Sequence, residues 1–192
     1  MYWRAWSRYQ TKAIAEARAD IDRAKQMYRT PTTLMLAGLI EVELSDFGLA
    51  HDDLHEAVSL SPAYCQARWQ LGVVDFRRQD FEASADTFAA AASCYADARL
   101  TNRSSLAALA ARTDVDAGFR TRRVAALEAE HRELERGHDS AALNAALNYA
   151  RAGNRERGAT YLQQAGPNAP RDAVEEVARA LGIKMPSTKP SN

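Results

Sequence analysis

Small and apolar residues recur along this chain with helical spacing. Near the N-terminus, Ala17, Ile21 and Ala24 follow one another at intervals of four and three positions. Residues at these intervals share one face of an α-helix. Because residues 1–30 contain neither glycine nor proline, the pattern predicts one long helix there, or a helix with a slight break.

The same order of small and large residues returns after 34 positions. Four pairs of positions have this spacing and keep their residue class: Gly38 and Gly72, Phe47 and Phe81, Leu54 and Phe88, and Ala57 and Ala91. A period of about 34 residues is that of a repeated pair of helices. Pro31 and Pro62 bracket one such pair, and no proline interrupts a predicted helix. The pattern therefore predicts an all-α fold in which stacked pairs bury one another's apolar faces.

Three segments supply matching residue types at matching offsets. These are Leu34, Ala37, Gly38, Phe47, Ala50, Leu54, Ala57 and Pro62 in 31–64; Trp69, Leu71, Gly72, Phe81, Ser84, Phe88 and Ala91 in 65–98; and Ala145, Ala146, Tyr149, Gly153, Gly158, Leu162, Ala165 and Pro170 in 139–172. This order resembles the tetratricopeptide repeat family. The resemblance implies a right-handed α-solenoid of stacked antiparallel helix pairs, with about four pairs in this chain.

The segment 99–138 departs from the repeat. It is longer than the period and lacks a clear Leu-Gly element, and Thr113-Asp114 is expected to break it after a short first helix. A longer helix is predicted from about Ala117 to Arg136, with Val124, Leu127, His131 and Leu134 as its apolar stripe. We interpret the segment as a divergent third unit with an extended second helix. The alternative is a short coiled-coil partner helix.

The predicted organisation has three parts. Residues 1–30 form an N-terminal helix that packs on the solenoid. Residues 31–185 hold the repeats 31–64, 65–98, 99–138 and 139–172, followed by a capping helix over 171–181 that ends at Gly182. Residues 186–192 are expected to be disordered.

Composition narrows the class of function. Lysine plus arginine equals aspartate plus glutamate at 25 each, and this balance argues against a nucleic-acid binder. No apolar run is long enough for a membrane span, and no signal peptide is present, so a soluble, cytoplasmic protein is favoured. The two cysteines, Cys65 and Cys94, lie among small or apolar neighbours and are expected to be reduced, packed thiols.

Two clusters could in principle carry chemistry. His51 and His55 are four apart and, with Asp52 or Glu56, could ligate a zinc ion. No further histidine-containing motif supplies a third ligand, and a solvated helix face is the favoured interpretation. The run from Gly137 to Ser140 contains serine, histidine and aspartate, and is interpreted as a helix stop followed by an N-cap rather than as a catalytic triad. We therefore expect no enzymatic activity, no metal and no cofactor.

The family resemblance implies a partner-binding groove. First helices of successive units line the concave face of tetratricopeptide folds, and the exposed positions carried onto this chain are Met35, Leu39, Trp69, Val73, Phe76, Arg77, Leu143, Leu147 and Arg151. An apolar groove edged by arginine suits an amphipathic helix or an extended peptide. The groove could instead be filled by the aromatic residues of the N-terminal segment, Tyr2, Trp3, Trp6 and Tyr9.

The resulting hypothesis is a non-catalytic scaffold that binds a partner protein or peptide on its concave face, with self-association left open. The alternative is an accessory repeat domain of a larger enzyme, or of an envelope or secretion assembly, with catalysis elsewhere.

Overall fold

The computed structural model describes residues 1–184, which form helices and no strands. The helices are α1 (Tyr2–Gln10), α2 (Ile14–Met27), α3 (Pro31–Glu43), α4 (Phe47–Leu60), α5 (Cys65–Arg77), α6 (Phe81–Ala111), α7 (Ala117–Arg151), α8 (Arg155–Gln164) and α9 (Arg171–Leu181). The chain folds into two compact units. The first is Met1–Ala91, and the second begins at Ala92. The all-α fold class is confirmed. The predicted disordered tail, 186–192, lies outside the described residues.

One type of turn joins the two helices of successive pairs. Its left-handed residue is Lys12, Ser45 or Gln79 in the first unit and Gly153 in the second, with φ of 62°, 60°, 63° and 82°. After the last three of these, an Asp or Asn side chain accepts a backbone hydrogen bond and starts the next helix. The turns at 79–80 and 153–154 therefore start the following helix in the same way as the turn at 45–46.

The same turn corrects the prediction for residues 1–30. They form neither one long helix nor a slightly broken one, because the left-handed Lys12 reverses the chain between α1 and α2. Arg4 and Arg8 of α1 then form ion pairs with the buried Asp20 of α2. The N-terminal segment is thus a helix pair in its own right, and its turn at Lys12 precedes the turn at Ser45 by one position less than a full repeat period.

Glycines set the closest approach between the two helices of a pair. A Cβ placed on Gly38 would lie 2.6 Å from Cγ of Leu54, and one on Gly72 would lie 3.0 Å from the Phe88 ring. Leu54 and Phe88 are buried one turn after Ala50 and Ser84 on their own helices. The large side chain of the second helix therefore occupies the space that the first helix leaves at its glycine.

The core of the second unit lies where α7, α8 and α9 meet. Ala146, Leu162, Val177 and Leu181 belong to this cluster, and Gly158 lets α8 approach both Leu181 and the backbone of α7. Helix α9 matches the segment predicted as a capping helix. It ends at Gly182, which has the left-handed conformation typical of glycine.

Helices α6 and α7 are longer than predicted, and three expectations from the sequence are therefore wrong. The short first helix expected before Thr113 is the end of α6, which continues unbroken from Phe81 to Ala111. The helix stop and the N-cap expected at Gly137 to Ser140 are wrong, because α7 passes through these positions, where the glycine packs against the Tyr95 ring. The proposed repeat boundaries stay a prediction, although α6 and α7 run across two of them.

The cysteines also differ from expectation. Neither Cys65 nor Cys94 is a free thiol, since both are disulfide-bonded. The interpretation as reduced, packed thiols is therefore wrong, although the burial expected for Cys65 is observed. A single pair of cysteines carries too little sequence signal to distinguish the two states.

Candidate interaction face

The first helices of the first unit pack in chain order: α1 contacts α3, and α3 contacts α5. Each presents apolar or aromatic residues at equivalent positions, separated by one repeat period between α3 and α5 and by one position less between α1 and α3. We call these positions the first-helix face. Its members are Tyr2, Trp6 and Tyr9 on α1; Met35, Leu39 and Val42 on α3; and Trp69, Val73 and Phe76 on α5.

The α1 row was not among the predicted binding residues. Tyr2, Trp6 and Tyr9 are half-buried and pack against a core that α1 shares with α2 and α3. The rings of Trp6 and Tyr9 lie 6.1 Å apart. These residues therefore extend the face by one helix. In the sequence analysis they were the residues that could instead fill the groove. The sequence signal that identifies them is their spacing from the equivalent residues of α3, which is one position less than the repeat period.

The α3 row is the most deeply packed. Met35 retains only 6% of its surface and belongs to the core between α3, α4 and α5. Leu39 and Val42 are half-buried and pack on the same core. The middle row therefore offers Leu39 and Val42 to a partner more than Met35.

The aromatic residues of the α5 row pack against α6, the second helix of their own pair. The Trp69 ring meets the Phe88 ring edge-on at 5.8 Å, and the Phe76 ring lies 5.9 Å from that of Phe81. Val73 is half-buried between these two positions along the helix. Rings held on one side by a core lose little freedom when a partner covers the other side.

Charged residues lie at the C-terminal ends of the first helices. Lys12 and Glu43 form an ion pair of 2.9 Å that joins α3 to the turn after α1. Burial and the neighbouring Glu43 carboxylate raise the pKa of Tyr9, and Lys12 lies 5.8 Å from the centre of the Tyr9 ring. Arg77 is exposed, and within residues 1–184 it forms no ion pair. Its guanidinium is therefore accessible to a ligand at this edge.

The three other predicted residues belong to the second unit. Leu143 and Leu147 are half-buried on α7 and pack against the cluster around Leu162. Arg151 is exposed in the last turn of the same helix. The structure thus places Leu143, Leu147 and Arg151 along one helix, and their role in binding stays a prediction.

Buried charges lie beneath the first-helix face, between the first and second helix pairs. Glu41 on α3 is 1% exposed, and its Oε2 atom has no hydrogen-bond partner among the described residues. Its Oε1 atom is 3.8 Å from Arg18 and 3.9 Å from Lys25, while Lys25 forms a short ion pair with Asp53. Burial and the nearby Asp53 raise the pKa of Glu41 to about 7. The group is therefore poised to gain or lose a proton near neutral pH.

The next pair repeats this arrangement with different residues. Asp75 is buried one repeat period after Glu41, and its pKa is raised by burial. It accepts a hydrogen bond of 3.0 Å from Thr87, and Nε2 of His51 lies 3.6 Å away. His51 follows Arg18 by nearly one repeat period. Each helix pair therefore places an arginine or a histidine side chain near the buried acidic residue of the next pair.

The two clusters that were considered as a metal site and as a catalytic triad, around His51 and around Asp139, make contacts within the fold. The rings of His51 and His55 stack at 6.0 Å, and within the described part of the chain no group of three or more ligands could hold a metal ion. Asp139 accepts hydrogen bonds from the backbone and side-chain nitrogens of Asn168, at 3.1 and 3.0 Å, and so anchors the loop between α8 and α9. Its partner His138 lies inside α7, at 3.1 Å.

None of the helices within residues 1–184 is long and apolar enough to cross a membrane.

Comparison with known proteins identifies the fold. No family model matches the sequence, and no curated protein matches it significantly. Among solved structures, MamA is similar over 91% of this chain and 96% of its own, with 16% identity and a TM-score of 0.44. YrrB, a TPR protein with an unusual peptide-binding site, is similar over 91% of this chain and 70% of its own, with 19% identity and a TM-score of 0.60. On the likeness to YrrB, the chain has the fold of a tetratricopeptide repeat protein.

Proposed function

We propose that this protein is a non-catalytic interaction scaffold that binds a peptide or helical segment of a partner protein on the first-helix face. The observation that carries the proposal is the set of equivalent, mostly half-buried apolar positions on three neighbouring helices. Such positions are already held by a core on one side and would bury their remaining apolar surface against a ligand. Arg77, exposed at the edge, would orient the ligand through an acidic group.

Two further observations support this assignment. The aromatic residues of α1 pack with α2 and α3 in the core of the first unit, which favours an accessible face over one filled by the N-terminal segment. The likeness to YrrB, a TPR protein with an unusual peptide-binding site, agrees with this type of ligand. Catalysis is not part of the proposal, because His51 and Asp139 both serve contacts within the fold.

The test begins with selection of binding peptides from a random library against the full chain. Titration of a selected peptide then compares the unchanged protein with Trp6→Ala and Arg77→Glu. Truncation of aromatic and arginine hot spots costs about 2 kcal/mol or more, so we expect a loss of affinity of at least about tenfold in each variant.

Tyr28→Ala is the matched control, since Tyr28 is 67% exposed, lies at the end of α2 and is not a member of the first-helix face. Its affinity should equal that of the unchanged protein. Selected peptides that bind both test variants as well as they bind the control would show that the first-helix face is not the site.

A further inference from the structure

The N-terminal half of α7 has two different faces. Its inner stripe, Val124, Leu127, His131 and Leu134, was predicted from the sequence and lies toward α6, where Asn102 donates a hydrogen bond of 3.2 Å to the Leu127 carbonyl. Arg99 of α6 forms an ion pair of 3.1 Å with Glu135. Helix α6 therefore packs against this side of α7.

The outer stripe lies away from the contacts of Asn102 and Arg99, although Phe119 at its start also lines a cavity with Leu109 of α6 and with Arg112. It consists of six residues at intervals of 3, 4, 3, 4 and 3 positions, all of them exposed: Phe119, Arg122, Ala126, Ala129, Glu133 and Arg136. Phe119 retains 51% of its surface. These intervals are those of the a and d positions in a coiled-coil seam.

The outer stripe is complementary to itself when reversed. In an antiparallel pair of α7 helices centred between Ala126 and Ala129, Arg122 of one copy meets Glu133 of the other, and Phe119 meets Arg136. Alanine meets alanine at the centre, where small side chains allow a short distance between helix axes. Opposite charges at both ends fix the register, and arginine over an aromatic ring adds a cation–π contact.

We propose that a second copy of this chain docks antiparallel on the outer stripe of α7 and forms a two-fold symmetric dimer. A two-fold axis places the same surface of both copies in the contact, so every pairing occurs twice. Within its own helix Glu133 accepts a hydrogen bond from Arg136 through one carboxylate oxygen. The other oxygen can accept from Arg122 of the second copy.

The charges favour a second copy over another kind of partner. An acidic ligand would fit Arg122 but would meet Glu133 at the other end, and a basic ligand would have the reverse conflict. The contact runs from Phe119 to Arg136, about 26 Å of helix, which places it at the low end of interface size. The dimer should therefore dissociate on dilution.

Sedimentation velocity over a range of protein concentrations tests the proposal. The full chain is expected to shift from monomer to dimer as its concentration rises. In Arg122→Glu and in Glu133→Arg, like charges face each other twice in the dimer, so each variant alone should dimerise at least about tenfold more weakly. Helix content by circular dichroism verifies that both variants fold.

A mixture of the two variants provides the decisive measurement. In the mixed dimer the acidic side chains of the Arg122→Glu chain face the basic side chains of the Glu133→Arg chain at both ends, so dimerisation should return to the level of the unchanged protein. Arg103→Glu on α6 is the control: Arg103 is exposed, forms no ion pair within residues 1–184, and lies off the stripe. Its self-association should be unchanged.

Three results would overturn the proposal. The unchanged chain could remain a monomer at every concentration, the dimer could persist in both charge-reversal variants, or the mixture could fail to dimerise although each variant folds. Binding of peptides to the first-helix face is measured separately and does not depend on any of these outcomes.

Discussion

The pair α3–α4 and the extended part of the α6–α7 pair, residues 95–138, are both made of antiparallel helices but are stabilised in different ways. In α3 most side chains are buried, including Leu34, Leu36 and Ile40. Within 95–138 only Asn102, Leu109 and Leu127 are buried. Short helices are held together by tertiary packing, whereas long helices with few buried residues depend more on local propensity.

Composition agrees with this difference. The extended part is rich in alanine, leucine, glutamate and arginine, which have high helix propensity. The α3 segment contains two threonines and Gly38, which weaken an isolated helix but fit its crowded contacts. The stability of the repeats should therefore respond strongly to changes in the core, and that of the extension only weakly.

The largest effect is expected from truncation of a core residue in the regular pair. Leu54→Ala removes a fully buried side chain that packs against Gly38, and should lower the free energy of unfolding of the first unit by about 2–5 kcal/mol. All three tryptophans, Trp3, Trp6 and Trp69, lie in this unit, so urea denaturation followed by tryptophan fluorescence reports on it.

The matched change in the extension is Leu106→Ala. Leu106 is only half-buried, so the loss measured by circular dichroism during urea denaturation should be about 1 kcal/mol or less. Equal losses for Leu54→Ala and Leu106→Ala would contradict the contrast between the two regions.

The buried charge of the regular pair gives a smaller, pH-dependent effect. Because the pKa of Glu41 is raised from 4.5 to about 7, the folded state binds its proton more tightly than the unfolded chain does. The contribution of this group to stability is thus complete below about pH 4.5 and is lost as the pH rises to about 7. Glu41→Gln should remove this dependence and increase stability at pH 8 by an amount on the order of 2 kcal/mol.

Urea denaturation of Glu41→Gln and of the unchanged chain at pH 5 and pH 8 measures the effect. Their difference cancels the contributions of Asp75 and the other shifted groups, which both proteins share. Glu128→Gln, an exposed change in the extension, is the control and should leave the curve unchanged. An identical pH dependence in Glu41→Gln and the unchanged protein would mean that Glu41 is ionised throughout.

The sequence was sufficient where the chain follows its own period. Gly38 and Gly72, with their partners Leu54 and Phe88, could be identified because a small residue and a large one return together after 34 positions. The end of α9 at Gly182 was equally clear, because glycine readily adopts the left-handed conformation needed there.

Other features had no local signal. Lys12 adopts a left-handed conformation without being glycine or asparagine, so the reversal between α1 and α2 was hidden, and with it the α1 row of the first-helix face. Gly137 suggested a helix stop, but its role depends on Tyr95, which is distant in sequence, so no local pattern contains the contact. The burial of Glu41 among cations likewise depends on residues from separate helices.

The smallest effect is expected at two helix starts that share one geometry. The side chain of Asp46 accepts a hydrogen bond of 3.3 Å from the Leu49 backbone at the start of α4, and Asp116 accepts one of 2.8 Å from Phe119 at the start of α7. Asp46→Ala should cost about 1 kcal/mol of the first unit's stability, since α4 unfolds together with its packed neighbours. Asp116→Ala should instead fray only the first turn of α7, where most side chains are exposed, and leave the global free energy of unfolding within about 0.5 kcal/mol.

Hydrogen exchange separates these two cases. Amides 117–121 should exchange several-fold faster in Asp116→Ala, because only the first turn of α7 opens, whereas Asp46→Ala should accelerate exchange throughout α3 and α4. A global loss in Asp116→Ala as large as that in Asp46→Ala would show that the extension folds with the same cooperativity as the repeats. The contrast between the two regions would then lie in their composition alone and not in how they are stabilised.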